Sequence, residues 1–125
     1  MWHIEPTDQY EKDYRHYDKK RPNELAAVLR NLHRYKEMLD AAKNSRCVHA
    51  GFLHDEPKGV IAVDQKGFRA SIQETRLYTF ADDKTKTLHL ITIGDKDTQS
   101  GDVRISEDFV SDLRQQQSNE QQDIK

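Results

Sequence analysis

RLYTF (residues 76–80) and LHLITIGDKDTQ (residues 88–99) decide how this chain folds. The first is an alternating segment headed by a single arginine, Arg76. The second is an apolar segment that ends in Gly94-Asp95-Lys96. Both read as β-strands, and the flanking sequence extends them to FRASIQETRLYTF and TLHLITIG. Upstream, Cys47 to Leu53 and GVIAVD have the same character. Turn signals separate the four: Asp55-Glu56-Pro57, Gln65-Lys66-Gly67 and Asp82-Asp83-Lys84. Four consecutive strands with short turns imply an antiparallel meander.

Before residue 47 the period changes. WHIEP is a short alternating strand that Pro6 terminates, with Thr7 or Asp8 free to cap the next helix. DQYEKDYRHYDKK carries Tyr10, Tyr14 and Tyr17 at helical spacing. After Arg21-Pro22-Asn23, with Asn23 as the expected cap, a second helix runs to about residue 43. Its Leu25, Val28, Leu29, Leu32, Tyr35, Met38 and Leu39 recur at three- and four-residue steps and form the buried side, leaving Arg30, Arg34 and Lys36 toward water. The two helices form a hairpin that must cover the sheet's apolar face. Downstream, Ile105, Phe109 and Leu113 predict a short helix capped by Ser106, and the polar residues 118–125 are expected to be disordered. The expected fold is α+β: one domain over residues 1–117, with WHIE joining the four later strands in a twisted antiparallel sheet.

A chain of 125 residues allows one modest core, and its hydrophobic and charged fractions are equal at 34%, which fits a highly solvated domain. No apolar run approaches the ~20 residues of a membrane-spanning helix. The N-terminus lacks a basic segment followed by an apolar one, so the expectation is a cytoplasmic protein without a membrane partner. Cys47, the single cysteine, has no internal disulfide partner. His49, His54, Asp55 and Glu56 lack the spacing of a helical metal site, so neither metal nor cofactor is expected. Charge is uneven: residues 12–46 are cationic and the stretch after residue 100 is acidic, a pattern open to nucleic-acid contact or to plain solvation of helix faces.

The order strand, helical hairpin, meander and terminal helix, together with ETRLYTF and LHLITIGDKDTQ, resembles the RelE/ParE superfamily of bacterial type II toxin–antitoxin toxins, including HigB-like members. The resemblance covers most of residues 1–113. It implies a ribosome-dependent mRNA endoribonuclease that inhibits translation, is neutralised by a cognate antitoxin, and makes the ribose 2′-OH attack the neighbouring phosphate. On the matching positions, Arg76 would contact the scissile phosphate, and Lys96 would stabilise the transition state or protonate the leaving group. Lys66, Arg69, Arg30 and Arg34 would bind RNA. Gly101-Asp102 stand where that family's C-terminal tyrosine is found. Other readings remain open beside this one. Arg76 can instead pair with Glu74 or Asp64, and Lys96 can be a solvated turn residue. The same layout also serves ParE-like gyrase inhibitors and noncatalytic interaction modules.

Overall fold

A computed structural model describes residues 1–67 and 71–123. The fold is α+β, with a five-stranded mixed sheet and three helices. In chain order the elements are β1 (His3–Pro6), α1 (Asp8–Lys20), α2 (Pro22–Ala41), β2 (Leu53–Asp55), β3 (Val60–Val63), β4 (Thr75–Asp82), β5 (Thr87–Asp95) and α3 (Gln99–Asp123). The sheet order is β1-β5-β4-β3-β2. Antiparallel pairing links β2 to β3, β3 to β4 and β4 to β5, whereas β1 lies parallel to β5. The expected wholly antiparallel sheet is therefore corrected at one edge. No short turn joins β1 to a neighbour: the chain leaves it through two helices and returns to the far edge, so β5 meets β1 running the same way.

Local chemistry fixes the helix starts. Thr7 caps α1 by accepting from the Tyr10 amide at 3.0 Å, and its hydroxyl also donates to the Ile91 carbonyl at 2.7 Å, which ties the cap to β5. Helix α2 begins at Pro22, one residue before the expected cap Asn23, because proline fits the first helical position, where an amide hydrogen would lack a partner.

Two cores lie on opposite faces of the sheet. On one, Val63, Leu77, Ala81, Leu88, Leu90 and Ile93 pack against Tyr10 and Tyr17 of α1 and Leu25, Val28, Leu32, Tyr35 and Leu39 of α2. Tyr14, the middle tyrosine of the stripe, is exposed. On the other face Val60, Ala62, Tyr78 and Phe80 meet Val103, Phe109 and Val110 of α3. A bulge in β4–β5 makes this division possible: Tyr78 pairs with Thr92 but Thr79 pairs with Leu90, skipping Ile91. Without the extra residue Ile93 would point away from Leu88 and Leu90.

Several boundaries differ from the sequence expectation. Strand β2 falls on Leu53–Asp55 rather than on 47–53, because Asn44 folds Ser45–Cys47 into a 3-10 turn by accepting from the Arg46 amide. β4 begins at Thr75, and residues 71–74 are irregular. α3 is the longest helix, not a short one. It starts at Gln99, and the Thr98 carbonyl accepts from the Asp102 amide, so Ser106 is not a cap but a buried mid-helix residue donating to the Asp102 carbonyl at 2.8 Å. α3 also continues to Asp123, so residues 118–123, expected to be disordered, are helical. Glutamine and glutamate are good helix formers, and here they prolong a helix already nucleated by packing.

Candidate functional site

The β4–β5 register sets Arg76 opposite Gly94 and Thr75 opposite Asp95, with Lys96 one residue past the end of β5. Arg76 and Lys96 therefore sit at one end of the same strand pair. Their environments differ. Lys96 is exposed and takes part in no ion pair among the described residues; it edges a shallow hollow of about 240 Å³ with Gln73, Glu74, Asp95 and Asp97. Arg76 has only 19% of its side chain exposed. Its two terminal nitrogens face Glu56 at 3.5 Å and Glu74 at 3.4 Å, while its Nε is buried without a hydrogen-bond partner. Of the two pairings the sequence left open, Glu74 is present, and the second carboxylate is Glu56 rather than Asp64.

Strand alternation shows what shares the face with Arg76. Tyr78, two residues on, points the same way, and its cross-strand partner Ala62 is in turn paired with His54 of β2. Glu56 lies two residues beyond His54. The α3-facing side of the sheet thus carries His54, Glu56, Arg76 and Tyr78, with α3 covering the Tyr78 and Phe80 portion. The Tyr78 hydroxyl is buried and has no hydrogen-bond partner. Burial pushes its phenol well above the usual range; Asp102 adds to the shift and Arg76 opposes it.

His54 is held by Asp64. Its Nε2 lies 2.6 Å from Asp64 Oδ2, the Asp64 side chain is only 5% exposed, and that of His54 is 28% exposed. The same carboxylate accepts from the Lys66 amide at 2.8 Å and lies 3.5 Å from Lys66 Nζ. Sequence spacing hides this constellation, since His54 reads there only as a metal candidate beside His49, Asp55 and Glu56. Ten residues separate His54 from Asp64, and only the β2–β3 pairing brings them together. Among the described residues, no three His, Cys, Asp or Glu side chains gather as a metal site.

Lys66 belongs to this same corner, and Arg30 and Arg34 are carried by α2. Lys66 Nζ donates to the Gly51 carbonyl at 3.0 Å, and the Arg34 guanidinium stacks 4.9 Å above the ring of the next residue, Phe52. Arg30 is one turn before Arg34 and exposed. The buried Asn31 amide donates to the carbonyls of Asp64 and Lys66, anchoring α2 to this loop. Arg69 lies outside the described residues. Arg21, read in the sequence only as part of a helix break, also belongs here: it pairs with Asp95 at 3.7 Å and bonds Gln73.

A glycine at a strand end commonly supplies a backbone angle that other residues resist, but Gly94 serves otherwise. It needs no unusual backbone angle; it is small because the Asp102 carboxylate and Thr98 hydroxyl occupy the place of its side chain. A hollow of about 560 Å³ lies elsewhere, between α3 and the β4–β5 turn, and is lined by Arg46, Lys84 and Arg114 rather than Arg76 or Lys96. No protein-family model, curated protein or solved structure matches this chain.

Proposed function

We propose that this chain is the toxin component of a type II toxin–antitoxin pair, with a RelE/ParE-like layout, and that it cuts mRNA on the ribosome. The observation that carries the reading is the register of β4 and β5, which puts Arg76 opposite Gly94 and Lys96 just beyond, at one sheet end. In this reading the N-terminal strand, helical hairpin, antiparallel meander and C-terminal helix are that superfamily's arrangement. Arg76 would grip the phosphate with a planar fork that matches two oxygens, and Lys96 would supply a mobile point charge at the leaving 5′-oxygen. Lys66, Arg34 and Arg30 would hold the flanking RNA backbone. A cognate antitoxin would neutralise the chain by laying a helix or an extended segment over this end.

The two carboxylates on Arg76 also favour a second reading, in which the same layout is a noncatalytic partner-binding module or a gyrase inhibitor. Induced expression with mapping of mRNA ends separates the readings. Ribosome-dependent cuts that leave 5′-hydroxyl ends are expected. Growth arrest with intact mRNA and stalled replication would overturn the nuclease reading in favour of gyrase, and no arrest at all would leave the interaction module.

A further inference from the structure

We propose that His54, oriented by Asp64, is the general base for phosphodiester cleavage at the Arg76 site. This rests on the nuclease reading and assigns the proton transfer that Arg76 and Lys96 cannot perform.

A carboxylate can only accept a hydrogen bond, so the 2.6 Å contact with Asp64 Oδ2 places the neutral imidazole's hydrogen on Nε2. Nδ1 keeps its lone pair. A buried carboxylate that fixes the tautomer and ring of a half-exposed histidine is the arrangement by which proteins orient a base. Asp64 is itself immobilised by the Lys66 amide, and the Asn31 amide holds the Asp64 carbonyl, so the pair stands on a rigid corner. Lys66, from the loop after β3, contacts the pair through Asp64, and Glu56, Arg76 and Tyr78 share its face of the sheet.

The step balances without any co-reactant. Nδ1 takes the proton of the ribose 2′-OH, the 2′-oxygen forms a bond to phosphorus, and the bond from phosphorus to the 5′-oxygen breaks. Lys96 or water gives that oxygen its proton. The products are a 2′,3′-cyclic phosphate and a 5′-hydroxyl, and the imidazolium returns its proton to solvent. Asp64 acts as a positioning residue.

The test uses the full chain with programmed ribosomes and end-labelled mRNA, measuring single-turnover cleavage across pH. His54→Gln is expected to lose roughly 100- to 10,000-fold in rate. The wild-type profile should fall on the acid side as a histidine takes up its proton, and the residual activity of His54→Gln should lack that limb. Asp64→Asn should slow cleavage and displace the same limb. Added imidazole should restore part of the rate to His54→Ala, whereas an equal concentration of a non-basic buffer should not. With an active wild type, a His54→Gln chain that cuts within about threefold of it on the same profile overturns the assignment. Loss of activity that imidazole cannot restore, accompanied by early melting, makes the pair structural and also overturns it. A wild-type chain that cuts no RNA rejects the nuclease reading itself, and this proposal with it.

Discussion

The Asp102 carboxylate rests against the backbone of Gly94 so closely that a Cβ built there would lie 1.7 Å from Oδ2 and 2.3 Å from the Thr98 hydroxyl. β5 and the first turn of α3 therefore interlock through a missing side chain. Gly94→Ala should force the two apart and cost about 3 kcal/mol, at the upper end of ordinary overpacking. Gly101→Ala, in the same turn of α3 but facing open space, should instead gain about 0.5–1 kcal/mol by limiting the unfolded chain. Thermal melts of the two variants should move in opposite directions. A Gly94→Ala chain as stable as the wild type would show that the interlock does not exist in solution.

Asp102 also gives the fold a pH dependence of known sign. Burial raises its carboxyl above the ordinary value; Asp13 and Asp95 add to this, and the Thr98 hydrogen bond at 2.6 Å opposes it. The folded state then holds this proton more tightly than the unfolded state. Its contribution is most favourable below the ordinary aspartate value and declines as pH rises through the raised folded value. Asp102→Asn keeps an acceptor for Thr98 and carries no charge. Its stability relative to wild type should therefore increase from acid toward neutral pH, as denaturant melts at several pH values would reveal. A constant difference across that range would show that Asp102 does not set this dependence.

The sequence was most legible where periodicity alone decides an element. The three- and four-residue steps from Leu25 to Leu39 are the buried side of α2, and Thr7 caps α1. It was least legible where contacts distant in sequence decide. Nothing in WHIEP says that it runs parallel to β5, because that direction depends on where the hairpin of helices delivers the chain. Nothing local distinguishes Gly94 as a space-making residue from a turn glycine, since the occupying groups come from Thr98 and Asp102. The polar 118–123 stretch has no apolar stripe of its own, and its helicity is inherited from Val103, Phe109 and Val110 packing upstream. The site followed the same rule. Arg76 and Lys96 were visible as strand-end cations, but Glu56 reaches Arg76, and Asp64 reaches His54, only across the sheet.

Asn31 tests how α2 anchors the Lys66 corner. Its buried amide donates to two carbonyls, Asp64 at 2.8 Å and Lys66 at 2.9 Å. Asn31→Ala leaves both acceptors short of a partner and should cost about 2 kcal/mol. Hydrogen exchange should quicken first around residues 64–67. A loss of stability spread evenly over the molecule, with no local change at that loop, would contradict the anchoring role.

The two strand-end cations call for different substitutions. Lys96 is exposed, with no ion pair among the described residues, so Lys96→Ala should leave stability within about 0.5 kcal/mol of wild type and, on the proposed nuclease reading, relieve toxicity. Arg76 cannot be treated that way. Removing it strands Glu56, whose side chain is 16% exposed, and leaves Glu74 beside it, so Arg76→Ala should cost about 1–3 kcal/mol through unpaired carboxylates alone. A loss of toxicity in that variant would mix chemistry with unfolding. Arg76→Lys keeps the charge between the two glutamates but gives up the planar fork on a phosphate. If Arg76 grips the scissile phosphate, the lysine variant should melt close to wild type and still lose ~100-fold or more in cleavage. Growth inhibition, mapped mRNA ends and melting temperature, read together, decide the matter. Full toxicity in a well-folded chain carrying both Arg76→Lys and Lys96→Ala would show that Arg76 serves the fold through Glu56 and Glu74, and would direct attention to partner binding at this sheet end.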